Sequence, residues 1–134
     1  MQPLKWLALY VLVMLVFFAI DLIWLGFAGR HFYQKHLGHL LGEVNWTAAL
    51  IFYLLYIVGI LIFAVVPALE KEAFSHALIY GALFGFFCYA TYDLTNLATL
   101  KSWPTAIVFI DIPWGTFLTA AVAGAGYHIG KWLF

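Results

Sequence analysis

Charge is what this chain has least of: Asp, Glu, Lys and Arg make up 9% of its 134 residues, against 66% hydrophobic. Soluble domains carry roughly 25% charged residues, so this chain cannot clothe a water-facing surface. Six Lys and Arg balance six Asp and Glu. With no excess of either sign, nothing argues for nucleic acid or another polyanion as partner. Cysteine is almost missing too. Cys88 stands alone in an apolar run, can form no internal disulfide, and reads as a small buried hydrophobe. Five histidines are too few for a multi-His di-iron lipid desaturase. The chain also lacks a phosphate-cradling loop and a nucleophile–base pair at a recognisable spacing. No motif recruits a cofactor, and none is expected.

What the chain has in quantity is apolar runs long enough to cross a bilayer. A crossing helix needs about 20 mainly apolar residues, and residues 4–28, 47–66, 76–100 and 104–130 qualify. The links between them, 29–46, 67–75 and 101–103, are short and force antiparallel neighbours. The expectation is an all-α polytopic membrane protein, a compact antiparallel four-helix bundle forming one domain over residues 1–134. The first run is longer than the about 7–15 residues of a signal-peptide core, carries Asp21 and lacks a clear small-x-small cleavage site. It is expected to be retained. Lys5, Lys71 and Lys131 fall on one side of the membrane and Arg30, Lys35 and Lys101 on the other, a tie under the positive-inside rule. The free amine at Met1 tips the expectation towards an amino terminus inside.

Small residues recur at close-packing spacings: Gly81 with Gly85, Gly126 with Gly130, Ala120 with Gly124. In lipid such pairs let backbones approach. Packing within the bundle is the expected use, with a homo-oligomer face as the alternative.

The acidic residues divide by type. Glu43, Glu70 and Glu72 fall in links, while Asp21, Asp93 and Asp111 fall inside expected spans. A charge near the bilayer centre is costly, so such residues face the bundle interior or a cavity. Asp21 precedes Arg30 by nine positions, Asp93 precedes Lys101 by eight, and Asp111 follows Lys101 by ten on the returning helix. At about 1.5 Å per residue each lies about 12–15 Å from the same membrane face, so the three can share one layer. Crowded carboxyls in a low dielectric cannot all stay ionised, which would give the layer a proton-coupled switch.

Periodicity of about 100° per residue sorts the third span. Gly81, Gly85, Cys88, Tyr89, Tyr92, Asp93, Asn96 and Thr99 share one arc, expected inward, while Leu83, Phe86, Phe87, Ala90, Leu94 and Leu97 lie opposite, towards lipid. The first and fourth spans carry an echo, Asp21-Leu-Ile-Trp24 and Asp111-Ile-Pro-Trp114. Residues i and i+3 share a helix face, so each Asp has an indole beside it. Pro113 removes a backbone donor next to Asp111. Either the helix is irregular there and lines a cavity, or Asp111 caps a restarted helix. His36, His39 and Glu43 have the spacing of weak metal candidates. An interfacial segment with snorkelling polar groups is the preferred reading, and no metal is expected.

The run Tyr92-Asp-Leu-Thr-Asn-Leu-Ala-Thr-Leu100, then Lys101, Trp103-Pro104 and Asp111-Ile-Pro-Trp-Gly115, together with Asp21-Leu-Ile-Trp24, resembles a bacterial family of small four-helix membrane proteins catalogued only as a domain of unknown function. The resemblance covers essentially the whole chain. It implies a multi-pass protein of the cell inner membrane, with motif residues at Asp21, Trp24, Asp93, Asn96, Asp111 and Trp114. Three functions stay open. The aspartates with Trp24, Tyr89, Tyr92, Asn96 and Trp114 would form a pocket that binds or transports a small hydrophobic or lipid-like ligand, or protons. Alternatively, carboxylates flanked by aromatic rings would serve a membrane enzyme, or enzyme subunit, acting on a lipid or isoprenoid. In the third reading they hold the bundle together or scaffold a partner. In all three the lipid bilayer is the partner the composition demands.

Overall fold

The computed structural model describes residues 2–134, so Met1, whose amine enters the orientation expectation, lies outside the described residues. Helix α1 spans Gln2–Trp24, passes through a π-helical turn at Leu25–Gly29, and continues as α2, Arg30–Leu37. After a loop, Asn45 caps α3, Trp46–Ile60, its side chain accepting from the Ala48 N–H at 3.1 Å in the usual manner of an N-cap. A second π-helical turn, Leu61–Val65, joins α3 to α4, Val66–Lys71. Pro67 in the first turn of α4 has no N–H to offer the Phe63 carbonyl, and a widened turn just before it is the local answer. Helices α5, Phe74–Thr99, and α6, Thr105–Leu133, complete the chain. The described residues contain no strand.

Four helical segments are long and apolar enough to cross a membrane: Gln2–Phe27, Trp46–Lys71, Phe74–Thr99 and Thr105–Leu133. The architecture is therefore the expected all-α polytopic membrane bundle. Two links differ from expectation. Residues 67–71 continue the second helix, so Glu72 and Ala73 alone turn the chain, with Glu72 in the left-handed region at φ 52°. Residues 30–37 are helical as well, and from α2 the side chains of Phe32, Tyr33 and Leu37 pack on Trp103, Ile107 and Val108.

Helix α6 is the hub. Its widest interface is with α5 and its next with α1, and the small residues explain how closely they approach. A Cβ on Gly81 would lie 2.7 Å from the Ala123 Cβ, and one on Gly85 would lie 2.6 Å from the Thr119 Oγ1. Side chains on Gly124, Gly126 or Gly130 would run into Leu78, Val65 and Leu69. These faces are taken up within the chain, as the packing reading of the small-residue pairs requires. Leu9, Val13 and Phe17 of α1 and Ile57 and Ile60 of α3 fill the rest of the core with Leu118 and Val122.

The second span divides in two. Its later half, from Leu61 to Val65, packs on both α5 and α6, whereas α3 reaches them only from Tyr56 onward, through the Tyr56–Phe84 stack and the burial of Ile57 and Ile60. Leu50, Ile51, Leu54 and Leu55 of α3 are exposed, facing outward as lipid-contacting positions should. The result is a bundle closed near Val65 and parted near Phe52.

Candidate functional site

The three aspartates converge on Asp111. It projects from α6, buried at 8% exposure, and its Oδ1 accepts a 2.6 Å hydrogen bond from the Tyr33 hydroxyl of α2. Asp93 of α5 is fully buried at 0% exposure. Neither of its oxygens has a hydroxyl, amide or basic donor among the described residues, yet the Asp111 carboxyl lies within hydrogen-bonding reach of it. Asp21 of α1 is half-buried, lies beside the Trp114 indole and senses the Asp111 charge. One layer thus holds carboxyls from α1, α5 and α6 with a phenol from α2. Burial, and then the neighbouring Asp111 charge, push the Tyr33 hydroxyl well above the ordinary tyrosine range. It therefore stays a proton donor to Asp111.

The Asp-x-x-Trp echo has a structural meaning. Trp24 and Trp114 stack on each other, with ring centroids 4.5 Å apart and planes 14° apart, a close offset geometry of aromatic pairs. The indole of Trp24 lies over Gly29, where any Cβ would overlap it. That ties the π-helical turn after α1 to the site. Helix α6 runs unbroken through Pro113, so Asp111 is a mid-helix residue and the capping alternative is overturned. Pro113 nonetheless leaves the Phe109 carbonyl without its usual partner.

The inward arc of α5 is narrower than its periodicity suggests. Ala77, Gly81, Gly85 and Asp93 are buried, and Cys88, Tyr89 and Asn96 half-buried. Tyr92, however, is 57% exposed and Thr99 is exposed too, its hydroxyl returning to the Thr95 carbonyl at 2.8 Å. Ala90, expected to meet lipid, is buried. The reason is the parted second span: only α6 covers this end of α5, so the contact is a seam and Tyr92 stands on its rim. Asn96 sits one turn beyond, beside the Tyr92 hydroxyl.

Between α3, α5 and α6 the parting leaves a cleft of about 360 Å³ lined by Phe52, Tyr56, Cys88, Tyr89, Tyr92 and Asp111. This lies within the roughly 300–1,000 Å³ common for small-molecule sites. Tyr89 is seated against Gly115, where a Cβ would overlap its ring. Tyr56 is fixed by a 2.7 Å hydrogen bond between its hydroxyl and that of Thr119. Asp111 is therefore shared, bonded to Tyr33 on one side and open to the cleft on the other.

Asp21, Trp24, Asp93, Asp111 and Trp114 come together, Tyr89 and Tyr92 join them through the cleft, and Asn96 is peripheral. Sequence reasoning missed Tyr33, Phe52, Tyr56, Trp103 and Gly115. Gly115, inside the Asp-Ile-Pro-Trp-Gly run, and Trp103, in the Trp103-Pro104 pair, carried a signal; the others reach the site through tertiary folding. His36, His39 and Glu43 form no cluster among the described residues. The His36 Nδ1 is 3.0 Å from the Phe32 carbonyl one turn back, and the His39 Nε2 is 3.3 Å from the Ser102 carbonyl.

Fold and site together define a multi-pass helical membrane protein in which acidic and aromatic side chains gather beside a cleft. The chain belongs to the family described as Predicted membrane protein (DUF2177), whose model matches residues 6–128. No curated protein and no solved structure matches it.

Proposed function

We propose that the Asp93–Asp111 pair and the adjoining cleft bind, or carry across the membrane, a small amphipathic or lipid-like molecule in exchange with protons, in the inner membrane of a bacterial cell. One observation carries the reading. Asp93 is wholly buried with no hydroxyl, amide or basic donor on either oxygen, and the one group within reach of it is another acid, the Asp111 carboxyl, which lines an open cleft. A buried carboxyl serving only to brace the bundle would be saturated with donors. The indole N–H groups of Trp24 and Trp103 are likewise buried and unpartnered, so the neighbourhood holds uncommitted donors as well as acceptors.

Two neighbouring carboxyls in a low dielectric are tolerable when one holds a proton or a cation lies between them. The ionisable groups facing Asp111 are Asp21 from α1, Tyr33 from α2 and Tyr89, Tyr92 and Asp93 from α5. None is basic, so no Lys or Arg offsets the pair. Loading the cleft would change how much charge the pair can hold, and that is the physical basis of coupling.

A photoactivatable diazirine derivative of dodecanol, added to the protein in phosphatidylethanolamine–phosphatidylglycerol vesicles, tests this. Labelling is expected to concentrate in residues 52–56 and 88–92 and to vary with pH, with the variation lost in Asp111→Asn and Asp93→Asn variants that remain folded. Even labelling of all lipid-facing helices, or pH dependence surviving both substitutions, would sink the proposal.

A further inference from the structure

We propose that the cleft selects a hydrophobic organic cation, an alkylammonium-type headgroup on an apolar body, that enters sideways from the bilayer between α3 and α5. The inference rests on the reading that the cleft is a binding site, and it specifies what chemistry the site takes.

Its lining carries the argument. Four of the six lining residues, Phe52, Tyr56, Tyr89 and Tyr92, are aromatic, and the one ionisable carboxyl among them is Asp111. Aromatic faces attract cations through the ring quadrupole, and walls of several such rings are how quaternary ammonium groups are recognised. A carboxylate at the floor supplies the counter-charge. None of the six Lys and Arg residues lines the cleft. A phosphate or carboxylate headgroup would therefore be desolvated against an acid with nothing to offset it. A neutral headgroup would leave the aromatic walls with no charge to attract.

The route follows from the fold. The first turns of α3, before Tyr56 stacks on Phe84 and meets Tyr89 of α5, stand off the backbones of α5 and α6, and Phe52 and Tyr92, which line the cleft, are 49% and 57% exposed. The opening is lateral, at residues whose neighbours Leu55 and Leu94 are themselves exposed apolar side chains. Behind Asp111 lies the wholly buried Asp93, so the floor is backed by a second carboxyl and by no basic group.

The test uses the same vesicles and the diazirine–dodecanol label, with three unlabelled competitors of one chain length: dodecyltrimethylammonium, dodecanol and dodecyl sulfate, compared at equal content in the membrane. Dodecyltrimethylammonium is expected to halve labelling of residues 88–92 at a concentration at least ten-fold below either of the others. Asp111→Asn should abolish that preference. Because Asp111 is buried and its substitution can disturb folding, Tyr92→Leu and Tyr92→Phe provide a second arm at an exposed position. Leu is expected to remove most of the preference and Phe to retain it. Three competitors acting at one concentration, or a preference unchanged in Tyr92→Leu, would overturn the cation assignment while leaving the binding site standing. If the label never concentrates in the cleft, both fall together.

Discussion

Replacing Tyr33 by Phe removes one oxygen from the layer and little else. The ring packs with Phe32 and Leu37 on Trp103, Ile107 and Val108, contacts that Phe retains. What is lost is the 2.6 Å hydrogen bond to Asp111 Oδ1. That length is in the range of charge-assisted O–H···O⁻ bonds, about 2.5–2.7 Å. Hydrogen bonds to charged groups contribute about 1.5–3 kcal/mol, against about 0.5–1.5 kcal/mol between neutral partners. A loss of about 2 kcal/mol is therefore expected if Asp111 accepts as a carboxylate. Equilibrium unfolding in dodecyl maltoside micelles measures it, and a double-mutant cycle with Asp111→Ala isolates the pair. The single substitutions should sum to more than the double by about the energy of the bond. If Tyr33→Phe unfolds like the wild type and the two substitutions simply add, α2 is not tethered to Asp111 and the layer lacks its fourth member.

Gly115→Ala places a methyl group where the Tyr89 ring lies. Overpacking of this kind costs about 1–3 kcal/mol, and the displaced ring should weaken cleft labelling as well. Gly26→Ala is the matched control, with nothing within 4 Å of the new Cβ and a gain of up to about 1 kcal/mol expected from a stiffer unfolded chain. Thermal unfolding of the two variants beside the wild type should show opposite signs. Glu72→Gly should stabilise: it relieves a left-handed residue at φ 52° that costs about 1–2 kcal/mol, while the bridge it breaks, Lys131 to Glu72 at 3.3 Å, has side chains 48% and 76% exposed and so contributes little. Unfolding in detergent with and without added salt decides between those effects. With its folded-state ionisation displaced upwards, Tyr33 keeps its proton where the unfolded chain releases one. Stability should thus fall as pH rises through the ordinary tyrosine range, about 10, and less steeply in Tyr33→Phe. Equal slopes in stability–pH curves would refute this.

The spans were legible because lipid imposes one rule over some 20 residues at a time, and each of the four expected runs is matched by a helix. The link at 67–75 was misjudged because Pro67 and the charges of Glu70 and Lys71 look like a break. The π-helical turn at Leu61–Val65 accommodates Pro67 without ending the helix, and the charged residues lie on α4 as it leaves the apolar core. Convergence of the three aspartates was legible too, because counting residues from Lys101 in both directions fixes depth along antiparallel helices. Azimuth was harder. The arc of α5 correctly placed Gly81, Gly85 and Asp93 inward, but periodicity cannot say how many neighbours cover a face. Tyr92 was assigned to the interior on the assumption of a fully closed bundle.

The parted second span is the feature that no local pattern encodes. Helix α3 is apolar all round, and an all-round apolar helix in lipid gains little from choosing protein over acyl chains. Its position is set by what holds it. Asn45 caps its start, the 2.7 Å Tyr56–Thr119 bond pins its middle, and Ile60, Ala64 and Val65 bury its far end. Between the cap and the pin the Tyr10 hydroxyl of α1 donates to the Leu54 carbonyl at 3.0 Å, but no hydrogen bond among the described residues draws α3 onto α5, which presents Tyr92 and Leu94 there rather than glycine. The glycines that permit close approach, Gly81 and Gly85, face α6 and lie towards the closed end of the bundle. Close packing is thus concentrated at one end of the molecule and the buried aspartates at the other, so the bundle opens where Asp93 and Asp111 are.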